Sequence, residues 1–99
     1  MHRIIYTRQA EDQLHALFIQ IASAASPEIA ARYTDAIMRQ CESLSTFPAR
    51  GSLRNDIRPG IRGFGFRRRV LIAFDIAEDV VTIHGIFYGG QNLEAIFEE

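Results

Sequence analysis

Ninety-nine residues, 47% hydrophobic and 23% charged, describe one soluble globular domain over residues 1–99, too short for two independent cores and too apolar for a disordered chain. Eleven basic against twelve acidic groups leave a formal charge of -1, which taken alone argues against a nucleic-acid binder or a membrane-surface protein. The charges are sorted, however, and every basic residue is arginine: residues 1–49 carry -1, residues 50–69 carry +6 with seven Arg and one acid, and residues 70–99 carry -6 with no Arg.

The β-branched and aromatic run at residues 2–7 predicts a first strand. Thr7 is placed to cap a helix, and Glu11 and Asp12 favour its positive end. Ala10, Leu14, Leu17, Phe18, Ile21 and Ala22 recur at helical spacing as one apolar stripe. The small residues 23–26 end or bend that helix. Ser26-Pro27 then starts a second one, with Ser as N-cap and Pro where its missing N–H costs nothing. Ala30, Tyr33, Ile37, Cys41 and Leu44 form its apolar face, and Phe47-Pro48 closes it.

Residues 50–63, rich in Gly, Pro and Arg, read as loop or a short irregular strand. Residues 63–76 are strand-like with a turn or bulge near Gly65 to Arg68. If Arg67, Arg68 and Arg69 lie on a strand, Arg68 faces away from its two neighbours. Ala77-Glu78-Asp79 suits a hairpin turn. In the last strand, residues 80–88, strict alternation puts Val81, Ile83 and Phe87 on one side and Thr82, His84 and Tyr88 on the other. Gly89-Gly90 breaks it, and Asn92 can cap a helical turn carrying Leu93, Ile96 and Phe97. The expected class is α+β, in the order β-α-α-β-β-β. A helical hairpin packs on a mainly antiparallel sheet, with a short C-terminal helical turn.

Several chemistries have no footing in these residues. The longest strictly apolar run, Val70 to Phe74, is five residues and far short of a membrane span, and no secretory leader is read at the start. The single Cys41 forms no internal disulfide, which fits a reducing cytosol. His2, His15 and His84 lack metal-ligand spacing, and Gly60, Gly63 and Gly65 match no nucleotide fingerprint, so neither metal nor cofactor is expected. The arginine block is either a target-facing patch, with Arg54, Arg58, Arg62, Arg67, Arg68 and Arg69 as its members, or a solvated loop pairing with the acids of residues 70–99.

Residues 4–14 (IIYTRQAEDQL), 26–37 (SPEIAARYTDAI), 44–51 (LSTFPARG), 56–76 and 80–97 (VVTIHGIFYGGQNLEAIF), in that order and spacing, resemble the RelE/ParE toxins of bacterial toxin–antitoxin pairs, and the ParE branch in particular. The resemblance covers essentially the whole chain. It implies the fold just described, a cytoplasmic toxin that binds and stalls DNA gyrase without a catalytic centre of its own, and a small ParD-like antitoxin. No membrane partner and no sequence-specific nucleic-acid binding are implied. Such antitoxins order on binding, and the hairpin stripe of Leu14, Leu17, Phe18, Ile21, Tyr33 and Ile37 serves either as core or as the antitoxin groove. The acidic C-terminal third implies a complementary basic stretch on that partner.

The RelE branch, which cuts messenger RNA on the ribosome, is the alternative. It needs cations for the developing phosphorane charge and an acid–base pair. Arg62 and Arg68, with Arg67 and Arg69 beside them, would supply the cations, and His84 or Tyr88 the acid or base. Three positions depart from the family pattern. His84-Gly85 stands where Arg is frequent, Tyr88-Gly89-Gly90-Gln91-Asn92-Leu93 replaces a His-Gly-x-Arg-Asp-Leu ending, and Phe74 replaces a tyrosine. These changes remove positive charge from the C-terminal face. An inactive relative acting as an adaptor is a third class.

Overall fold

The computed structural model describes residues 1–89. The chain runs through β1 (Arg3–Tyr6), α1 (Arg8–Ala24), α2 (Pro27–Glu42), a single 3-10 turn (Ser43–Ser45), β2 (Ser52–Leu53), β3 (Arg62–Phe66), β4 (Val70–Ala77) and β5 (Val80–Tyr88). The sheet order is β1-β5-β4-β3-β2, antiparallel throughout except for the parallel pair β1–β5. This is the expected α+β architecture, with β2 as the short irregular strand of the Gly/Pro/Arg segment. The helical turn expected around Leu93, Ile96 and Phe97 lies outside the described residues.

Both helix starts use the residues that their sequence offers. The Ala10 amide donates to Thr7 Oγ1 at 3.1 Å, and the Ile29 amide to Ser26 Oγ at 3.1 Å with Pro27 in the first turn. Each cap is worth about 1 kcal/mol. The buried Thr34 hydroxyl donates back to the Ala30 carbonyl at 3.0 Å, so it brings no unpaired group into the interior. Cys41 is fully buried on the same helix, and burial pushes its thiol up to about 12, the state of a small core residue rather than a nucleophile.

The main core lies between the helices and one sheet face. Leu17, Ile37 and Leu44 meet Ile72, Phe74, Val81 and Ile83 there. Strand β4 alternates without interruption, sending Val70, Ile72 and Phe74 to the helices. Strand β5 does not. Phe74 pairs with Ile83 but Ala73 pairs with Gly85, so His84 is an extra residue, a β-bulge.

The bulge overturns the expected grouping of β5. Beyond it the phase flips: Ile86 joins Val81 and Ile83 in the main core, and Tyr88 packs against it. Phe87 instead meets Ile61 and Ala73 in a small second core on the sheet face away from the helices, called the open face for the described residues alone. Strict alternation misplaces Phe87 and Tyr88 because one inserted residue inverts every side chain after it.

Gly85 makes room for this arrangement. A Cβ there would lie 2.3 Å from the Phe87 ring, which occupies that space. Gly85→Ala should therefore cost about 1–3 kcal/mol by overpacking. A lowered urea midpoint at unchanged slope is the expected result, and an unchanged midpoint would mean that the ring moves aside freely.

Candidate functional site

The arginine block is anchored by the β3–β4 hairpin, whose tip is Phe66-Arg67-Arg68-Arg69. The Arg69 amide donates to the Phe66 carbonyl at 3.2 Å. Arg67 and Arg68 have φ of 51° and 61°, both left-handed. Hairpins normally place Asn-Gly or similar at two such positions, because an ordinary side chain there costs about 1–2 kcal/mol. The three arginines thus sit in a turn, not on a strand, and do not simply alternate.

The turn divides them between the two faces of the sheet. The Arg67 guanidinium lies 4.8 Å from the Phe66 ring centroid and 5.5 Å from that of Tyr33, on the helix side. Tyr33 and Phe66 meet edge to face at 5.6 Å, so the cation rests on a paired aromatic platform. Arg68 and Arg69 line a cleft of about 270 Å³ on the open face with Gly65, Leu71 and Phe87. Among the described residues none of these three arginines forms an ion pair.

The rest of the block is engaged elsewhere. Arg54 grips Asp56 with two hydrogen bonds of 3.0 Å, which hold that carboxyl below its usual range. Arg58 approaches Asp75 at 3.8 Å. Arg50 reaches Ser43 Oγ and lies over the Phe64 ring. Arg62, opposite Phe74 in register, shares the helix-side face of β3 with Phe64 and Phe66. Of the six expected patch members, Arg67, Arg68 and Arg69 stay together at the tip, while Arg54 and Arg58 lie in the β2–β3 loop and Arg62 at the start of β3.

The four residues of the nuclease alternative are not brought together. His84 Nε2 lies 3.0 Å from Asp75 Oδ2 beside the bulge. Tyr88 is past the bulge, against the main core and next to the hairpin tip, where Val70 is its partner in register. Arg62 is at the far end of β3 from Arg68.

The hairpin stripe separates into core and rim. Leu17 and Ile37 are 4% and 0% exposed and offer no surface. Leu14, Ile21 and Tyr33 are half-buried against the core. Leu14 and Phe18 line an apolar cleft of about 370 Å³ between the helices, with Tyr6 and Met38 and with Glu11 and His15 at its edge. Met38, four residues after Thr34, is the part of this surface that the stripe missed. A second cleft of about 380 Å³ flanks α2 on its other side, lined by Ile29, Arg32, Tyr33, Ala36, Arg39 and Arg67. Its sequence signal is the seven-residue interval between Arg32 and Arg39. No group of three or more potential metal ligands converges among the described residues.

Residues 4–93 match the family model for the ParE toxin of the type II toxin–antitoxin system parDE. Toxin ParE3 of Caulobacter vibrioides is 32% identical over 95 residues, which span 96% of this chain and 94% of that protein. A solved chromosomal ParDE TA system structure from P. aeruginosa matches with a TM-score of 0.79 at 23% identity, covering 90% of this chain and 97% of the other; this likeness bears on the fold.

The strained tip generates a direct test. Arg68→Gly removes a side chain from a left-handed position and should stabilise the protein by up to about 1 kcal/mol, as a rise in thermal midpoint. Most surface arginine replacements should leave the midpoint nearly unmoved.

Proposed function

The chain belongs to the ParE toxin family of type II toxin–antitoxin systems, and from that premise we propose that it binds DNA gyrase, blocks replication, and is neutralised by a ParD-like antitoxin. The observation that carries the proposal is the hairpin tip. Three exposed arginines without carboxylate partners among the described residues are held on a turn that two of them strain. Such strain persists where side-chain identity is needed for something other than folding. Fixed guanidinium forks suit recognition of carboxylate or phosphate on a large target.

The antitoxin's place on this reading is the apolar cleft between α1 and α2. Leu14, Phe18 and Met38 present a groove for one face of an amphipathic helix. The action is cytoplasmic, where gyrase works. No helix among the described residues is long and apolar enough to cross a membrane.

The separation of Arg62, Arg68, His84 and Tyr88 favours this reading over ribosome-dependent RNA cleavage, which needs its acid, base and cations around one phosphate. Controlled expression in bacteria should produce filaments and induce the DNA-damage response, and purified protein should trap gyrase on cleaved DNA. Prompt translation arrest with cut transcripts would support the nuclease instead. R68E/R69E should abolish the growth defect while antitoxin affinity stays within about threefold, since exposed charges away from a contact contribute little. Undiminished toxicity in that variant would reduce the tip to a solvated turn.

A further inference from the structure

The two clefts beside α2 differ in chemistry. Thr34 and Met38 face the apolar one, whereas Ile29, Arg32, Ala36 and Arg39 follow one another at i, i+3, i+7 and i+10 along the opposite stripe. Arg32 and Arg39 are therefore about 10.5 Å apart along the helix axis. Arg67 and the Tyr33 ring close the far wall from the hairpin tip. Among the described residues the lining holds three guanidinium groups and no carboxylate.

Glu28 and Asp35 stand four residues before Arg32 and Arg39, the favourable spacing for helix ion pairs. Among the described residues neither arginine forms such a pair, so these cations are not consumed by their own helix. The cleft is also apolar at its base. Ile29 is 44% exposed beside Ala36 and the Tyr33 ring. Three cations around a partly exposed isoleucine call for an occupant that brings acids and an aliphatic side chain together. A polypeptide does this, whereas a duplex of nucleic acid brings phosphates without a group to cover Ile29.

We infer that this cleft receives an acidic segment of the antitoxin carrying an apolar anchor, continuing across α2 from the helix seated in the apolar cleft. The inference rests on the toxin–antitoxin reading given above. Its mechanistic content is competition. Arg67 belongs both to this cleft and to the tip proposed to meet the target, so an antitoxin segment seated here covers part of the target-binding surface. Neutralisation then requires no distortion of the toxin.

The test titrates wild type, R32E/R39E and R32K/R39K with the polypeptide encoded by the reading frame adjoining the gene, by calorimetry at low and high salt. Arg32 and Arg39 are exposed, and circular dichroism checks that each variant folds. Charge reversal should weaken binding at least about tenfold and flatten its salt dependence, while the lysine variant keeps most of the affinity. Affinity of R32E/R39E within about threefold of wild type overturns the inference. If wild type fails to bind that polypeptide, the toxin–antitoxin reading itself has failed, which is a distinct result. Binding of a duplex DNA oligonucleotide, or self-association in sedimentation, that is lost in R32E/R39E while antitoxin affinity is retained would assign the cleft to DNA or to a second copy and also overturn the inference.

Discussion

Thr7 closes this molecule on itself. Its amide donates to the Ile83 carbonyl at 3.0 Å, its hydroxyl donates to the His84 carbonyl at 3.2 Å, and the same oxygen accepts from the Ala10 amide. One residue thus ends β1, starts α1 and fixes both to β5 at the bulge. Because β1 stops there, no strand among the described residues lies beside the upper half of β5 on that side, and Gln13 of α1 accepts from the Ile86 amide at 2.8 Å. The placement of α1 over the sheet follows from these contacts.

Much of the fold could be read from local chemistry. Thr7 and Ser26-Pro27 cap the helices because short hydroxyls satisfy first-turn amides, and β4 alternates as its residues suggest. The bulge at His84 could not be read, since it is a mismatch between two paired strands and neither strand carries it alone. The parallel pairing of β1 with β5 is equally non-local. The hairpin stripe shows a subtler limit. Leu17 and Phe18 are neighbours in sequence and alike in polarity, yet only Phe18 reaches the cleft. Helical periodicity gives the direction of a side chain, but packing against the sheet decides its exposure.

The arginine block was legible as a concentration of charge but not as a site. Arg58 meets Asp75, one of the acids of residues 70–99 expected to pair with the loop, whereas Arg54 pairs with Asp56 inside the loop itself. Arg67, Arg68 and Arg69 sit in the hairpin turn and form no ion pair among the described residues. Arg32 and Arg39 belong outside the block and join it only through the fold. The use of arginine alone has a further effect: planar guanidinium forks offer two-pronged hydrogen bonding that lysine cannot, at the tip and in the α2 cleft alike.

The closure at Thr7 also bears on when the protein becomes active. Residues 3–6 find their strand partners only at residues 80–83, so nearly the whole described chain must exist before the sheet can be completed. Contacts of that sequence separation form late and slowly. The β4–β5 hairpin that holds the bulge is local, whereas the β1–β5 pair beside it joins the two ends of the described chain. The described sheet is therefore completed only when residues 3–6 and 80–83 meet, so its two ends become structured together.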